Sequence, residues 1–127
     1  MNIERTAAGM LIRLDGSFDA AAVKDGNGFW ERLLENSRGN VFVDVSGVDY
    51  LDASAIGLLA FLYKRLAERE CRLYLIGPKG QPKRLLELLR IDRVIDVVEA
   101  APAPSAAWGL SAVPRHTEGG LANGNPA

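Results

Sequence analysis

Apolar residues come in short bursts along this chain, and the bursts differ in period. Residues 41–45 (Val-Phe-Val-Asp-Val) form a β-branched and aromatic run between Asn40 and Ser46-Gly47, the pattern of a buried strand that ends in a turn. Residues 55–66 follow, with Ile56, Leu59, Tyr63 and Leu66 at +3 and +4 spacing, which predicts a helix with one apolar face. Asp52 or Ser54 can cap that helix, because a short side-chain oxygen accepts from the free amides of a first turn. A strand, a tight link and a helix thus bring Ser54 to a helix N-terminus.

The flanking bursts extend the alternation. Residues 1–5 and 9–14 read as two strands of a hairpin, in which Met10, Ile12 and Leu14 alternate with Leu11 and Arg13, and Asp15-Gly16 ends the second. Asp19 suits the N-cap of a first helix whose inner face takes Val23, Trp30, Leu33 and Leu34. Gly26 and Gly28 weaken its middle, since each glycine costs about 1 kcal/mol relative to alanine in a helix. Residues 71–76 form a further buried strand stopped by Gly77-Pro78. Pro82 then fits the first turn of a third helix with the stripe Leu85, Leu86 and Leu89. Residues 91–93 and 94–98 fit a short strand or a last helical turn, and periodicity leaves both open. The expected fold class is α/β, a mixed four- to five-stranded sheet covered mainly on one face by three to four helices.

From residue 101 the pattern stops. Residues 1–100 form the expected domain, and residues 101–127, rich in Ala, Pro and Gly, are expected to be a disordered tail with too little apolar surface to offset the entropy of ordering. Trp108 and Leu110 are its exceptions, able to dock on a neighbouring surface.

Composition removes several function classes. The 127 residues are 48% hydrophobic and 24% charged with a formal net charge of -1, which suits one soluble domain and gives no electrostatic reason to expect nucleic acid or an anionic membrane as partner. No apolar run approaches the roughly 18–20 residues that span a bilayer, so no direct membrane insertion is expected. The N-terminus lacks the layout of a secretory signal, and the single Cys71 forbids an internal disulfide; both fit a cytoplasmic location. Cys71 opens an apolar strand with no activating basic cluster beyond Arg72, as a structural thiol would. Neither GxGxxG nor GxxxxGK[ST] occurs, so no phosphate loop and no cofactor are expected. Asp44 and Asp49 flank one turn, but the only histidine is His116, in the tail, and no metal site is expected. Lys79, Lys83 and Arg84 read as a solvated basic face.

The stretch Asp44-Val45-Ser46-Gly47-Val48-Asp49-Tyr50-Leu51-Asp52-Ala53-Ser54-Ala55-Ile56-Gly57 resembles the signature of the STAS family, whose best-known members are bacterial anti-sigma factor antagonists. Gly16-Ser17-Phe18-Asp19 is similar to the family's turn before its first helix. Gly77-Pro78, with residues 84–92 after it, resembles the closing helix, so the likeness spans residues 1–100. The resemblance implies a STAS-like fold and a binding domain with no active site of its own. It implies that an anti-sigma factor with serine-kinase activity phosphorylates a serine at the start of the second helix, and that a PP2C-type serine phosphatase resets it. By position Ser54 matches the phosphoacceptor and Asp52 the aspartate two residues before it. Ala53 stands where many members carry a second hydroxyl, and Ala55 where many carry glycine.

The physics of the position is compatible with such a switch. A phosphoserine carries nearly two negative charges, which a helix N-terminus partly accommodates, while a partner must desolvate them or meet them with charge. The plain alternative for Ser54 is a helix cap, and the two roles can coexist. The expected partner interface is Asp52, Ala53, Ser54, Ala55, Ile56, Leu58 and Leu62, because residues 56–63 hold more apolar side chains than one core stripe needs; extra burial in the core explains Leu58 and Leu62 equally well. A STAS subunit docked on the ATPase of a lipid-trafficking ABC transporter is the alternative within the fold. A small enzyme or nucleotide-binding domain is a third reading, weakened by the missing base, nucleophile pair and phosphate loop.

Overall fold

A computed structural model describes residues 2–6, 9–26, 28–36 and 39–100. The segment expected to be a disordered tail lies outside the described residues. Strands β1 (Asn2–Thr6) and β2 (Gly9–Phe18) pair antiparallel as the expected hairpin, with Ile3 opposite Ile12. Strands β3 (Asn40–Leu51), β4 (Leu73–Ile76) and β5 (Asp96–Val98) then add in parallel, giving the order β1-β2-β3-β4-β5. Parallel neighbours need crossovers, and here they are helical. Helices α1 (Ala20–Asp25) and α2 (Phe29–Asn36) join β2 to β3, α3 (Ala53–Ala67) joins β3 to β4, and α4 (Gly80–Leu88) with a 3-10 turn (Ile91–Arg93) joins β4 to β5. Residues 91–98 thus supply both the turn and the strand that the sequence left open.

One layer of helices covers one face of the sheet. Met10 and Ile12 of β2, Val41, Val43 and Val45 of β3, and Leu73 and Leu75 of β4 point into it, against Trp30, Leu33 and Leu34 of α2 and Leu86 of α4. Trp30 meets Phe29 edge-on at 4.9 Å and lies 6.1 Å from Phe18. Burying such aromatic and aliphatic side chains contributes about 1.5–3 kcal/mol each. The residues between them in the strands face the other way. Leu11, Phe42, Tyr74 and Ile76 form a second apolar cluster there, with the Phe42 and Tyr74 rings stacked at 4.8 Å.

Three local expectations are corrected. The strand predicted over residues 41–45 runs on to Leu51, and β2 runs on past Asp15-Gly16 to Phe18, as one ribbon whose register shifts between Arg13 and Asp15 and again between Gly16 and Ser17. Ser46-Gly47 is extended rather than turned: Asp44 Oδ1 accepts from both the N–H and the hydroxyl of Ser46, and a Cβ on Gly47 would sit 3.3 Å from the Leu14 carbonyl oxygen of the partner strand. The single first helix is two helices, because Gly28 takes φ +77°, which no α-helical residue can hold. The third correction concerns α3, whose buried residues are Ala55, Leu59, Leu62 and Leu66. The core stripe is therefore turned by one position at two of its four places: Ile56 is half-buried and Tyr63 is 36% exposed. Apolar residues fill most of residues 55–63, so spacing could not choose the face.

Candidate functional site

The end of β3 and the starts of α1 and α3 are held by three side chains that bond backbone groups. Asp52 is the N-cap of α3, and its Oδ1 accepts from the Ala55 N–H at 3.1 Å. Its Oδ2 accepts from the Ala20 N–H at 3.0 Å, the first amide of α1. One carboxylate thus serves the N-termini of two helices, the two places where backbone amides lack intrahelical partners. Asp19 caps α1 in its own right, accepting from the Ala22 N–H at 3.0 Å as the sequence predicts. On the other side, Gln81 of α4 donates through Nε2 to the Leu51 carbonyl and accepts through Oε1 from the Leu51 N–H, both at 2.8 Å. Gln81 prolongs the sheet ladder by one side chain where β4 has already ended.

Ser54 lies inside this frame without being part of it. It is the second residue of α3 and exposed, as is Ala53 before it. Asp52 does the capping, and among the described residues the Ser54 hydroxyl takes part in no hydrogen bond. Sequence offered Asp52 and Ser54 as alternative caps; the structure divides the roles.

The expected interface separates into two sets. Ala55 and Leu62 are each 0% exposed and belong to the core under α3, so neither can touch a partner; a partner surface that includes them is corrected. Asp52, Ile56 and Leu58 are half-buried, and Ala53 and Ser54 are exposed. Leu58 lines a groove shared with Val23, Lys24 and Gly26 at the end of α1 and with Trp30 and Glu31 of α2. The outer face of α3 continues through Gly57 and Phe61, the latter half-buried under the Arg65 guanidinium at 5.6 Å. Phe61 was missed in the sequence; its place seven residues after Ser54, two helical turns on, is the signal that points to it.

The remaining candidates have other duties. Asp44 holds Ser46 and lies 3.6 Å from Arg13, which itself pairs with Glu4 at 2.7 Å. Asp49 is exposed, and no group of three or more His, Cys, Asp or Glu among the described residues could hold a metal ion. Lys79, Lys83 and Arg84 are all exposed. Cys71 is half-buried rather than buried. Burial pushes its thiol pKa up, Arg69 pulls it down and Glu70 raises it again, so the sulfur stays a protonated thiol at neutral pH. No helix among the described residues is long and apolar enough to cross a membrane.

Comparison with known proteins places this geometry in context. The model of the STAS domain family matches residues 1–102. The anti-sigma-B factor antagonist of Staphylococcus aureus (strain NCTC 8325 / PS 47) is 23% identical over 101 residues, covering 78% of this chain and 94% of its own. Among solved structures, a STAS domain protein from Planctomyces limnophilus is 18% identical with a TM-score of 0.72, over 79% of this chain and 90% of that one. The anti-sigma factor antagonist SpoIIAA in its unphosphorylated form is 17% identical with a TM-score of 0.61, over 79% and 87%. A sulfate transporter family protein from Wolinella succinogenes, 14% identical with a TM-score of 0.63 over 79% and 83%, has the same fold.

Proposed function

Because the chain belongs to the STAS domain family, we propose that it is a phosphorylation-controlled anti-sigma factor antagonist, with Ser54 as its phosphoacceptor. The observation that carries this reading is the division of labour at α3: Asp52 caps the helix, and Ser54 offers an exposed hydroxyl with no structural duty. In its unmodified form the protein binds and sequesters an anti-sigma factor with serine-kinase activity, through Ala53, Ser54, Gly57, Leu58 and Phe61 on the outer face of α3. Asp52 and Ile56 border that surface. It is a regulatory binding protein, with no nucleic acid or inserted membrane segment in its cycle.

The switch is a phosphoryl transfer in which the partner supplies the catalysis. The Ser54 oxygen attacks the γ-phosphorus of ATP held by the kinase, the bond from that phosphorus to the bridging oxygen breaks, ADP leaves, and the hydroxyl proton passes to a base of the kinase. A PP2C-type serine phosphatase hydrolyses the ester and returns the hydroxyl. The cycle consumes ATP, and the proposal therefore locates the protein in the cytoplasm. The phosphate would sit beside the Asp52 carboxylate on a surface otherwise lined by Gly57, Leu58 and Phe61. A partner must then desolvate nearly two negative charges to close on it. Every 1.4 kcal/mol of that penalty weakens binding about tenfold.

The test is a pull-down from the source organism's lysate with wild type, Ser54→Ala and Ser54→Glu as baits, the bound proteins identified by mass spectrometry. A kinase-type anti-sigma factor recovered by the first two and lost from Ser54→Glu is the expected result. Equal recovery of a transporter ATPase by all three would overturn it and make the chain a constitutive transporter subunit.

A further inference from the structure

The corner where α4 ends carries features that the fold does not use. Leu88, Leu89 and Val94 are 76%, 48% and 54% exposed, three of the six large apolar side chains left at the surface among the described residues. Single exposed leucines are ordinary, but these three fall within seven residues. The 3-10 turn gathers them, since the Val94 N–H donates to the Ile91 carbonyl and the Arg93 N–H to the Arg90 carbonyl. Between them Arg90 takes φ 61° and ψ 27°, the left-handed conformation in which helices commonly end on glycine. An arginine bears the steric cost of that position, and its exposed side chain makes no capping bond. Such a cost, borne where glycine would sit freely, points to a use outside the fold. Charge is segregated here too. Residues 79–94 hold five basic and two acidic side chains, all exposed, in a chain whose formal net charge is -1.

We propose that this corner is a docking surface separate from the one around Ser54, and that it takes an acidic segment with apolar side chains from a protein partner. The excess of arginine and lysine selects the acidic character, and Leu88, Leu89 and Val94 select the apolar side chains. Glu87 and Asp92 stand among the bases and count against an anionic membrane. A flat lipid surface would press phosphates on both, whereas a protein segment can set a base opposite each. A second copy of the chain would bring one basic corner against another in a two-fold dimer. The surface is remote from Ser54. Helix α4 begins beside Leu51, where Gln81 holds it, and Leu88 lies about 12 Å further along the helix. Strand β5, which follows the corner, starts level with Tyr74, toward the end of the sheet away from Asp52. The corner therefore stays open whether or not Ser54 is modified, and the proposal does not rest on that role.

The experiment is a solution NMR titration of the full chain with a synthetic peptide in which leucines recur every third or fourth residue among glutamates. Amide shifts confined to residues 84–94, and binding that weakens as salt is raised, are expected. Leu88→Ser should weaken peptide binding about tenfold. Arg90→Gly should raise the midpoint of urea unfolding and yet weaken peptide binding about threefold, a split that a merely structural arginine would not produce. Ser54→Glu should bind the peptide as wild type does. Shifts absent from residues 84–94 or equally large at Lys24 and Lys64, equal binding of the same peptide with lysines for glutamates, or loss of binding in Ser54→Glu would each overturn the proposal. So would co-sedimentation with phosphatidylglycerol vesicles, or a dimer in the analytical ultracentrifuge, that Leu88→Ser abolishes.

Discussion

Helices α3 and α4 both begin at the same end of the sheet, and they begin in opposite ways. At α3 a carboxylate caps the first turn and reaches across to α1. At α4 the N-cap position is Lys79, which makes no side-chain cap bond, and the helix is held instead by Gln81 clamped on Leu51. One anchor grips Leu51, and the other is the side chain of the next residue, Asp52, which holds the Ala55 and Ala20 amides. The exposed residue next to them can therefore change its chemistry without disturbing the fold. A frame made of Asp52 and Gln81 leaves Ser54 to be used.

Removing the carboxylate should break this arrangement most severely. Asp52→Ala deprives two helix N-termini of an acceptor and is expected to cost about 2–3 kcal/mol in urea unfolding, with Asp52→Asn losing roughly half as much because its amide nitrogen cannot accept. The clamp comes next. Gln81→Leu leaves the N–H and carbonyl of Leu51 without their partner and is expected to cost about 2 kcal/mol, and Gln81→Glu should fail to rescue it, since a carboxylate cannot donate to the Leu51 carbonyl. A smaller change should make the two helix starts alike: Lys79 already has the extended backbone of a cap (φ -137°, ψ 163°), so Lys79→Asp is expected to stabilise by about 0.5–1 kcal/mol. Ser54→Ala should have the least effect, within about 0.5 kcal/mol of wild type by the same measurement. A loss as large as that of Asp52→Ala would mean that Ser54 is part of the frame after all.

How much of this was legible in the chain varies with the physics involved. The strands β1 to β4 were readable because β-branched runs end at marked positions, and Asp19 was readable because capping is local. The extension of β3 to Leu51 was not, since Ser46-Gly47 has the composition of a turn and only pairing with β2 keeps it extended. The buried face of α3 was chosen by the sheet beneath it, which accepts Ala55 and Leu62 and leaves Tyr63 at the surface. Ser54 and Asp52 were both picked out, yet their separate roles needed the Ala20 N–H, 32 residues away, and the Gln81 clamp spans 30 residues. Side-chain bonds to distant backbone leave no periodic trace.

The shared carboxylate of Asp52 has one more consequence, for observation rather than stability. The Ala20 amide proton belongs to a different helix, yet its hydrogen-bond acceptor is the carboxylate two residues before Ser54 in the chain. Its chemical shift follows the electron density on that oxygen, so a charge added at Ser54, or a partner closing over it, is written into a resonance on α1. For the phosphoacceptor role proposed for Ser54, the Ala20 amide is thus a remote gauge, readable without a label on the proposed partner surface.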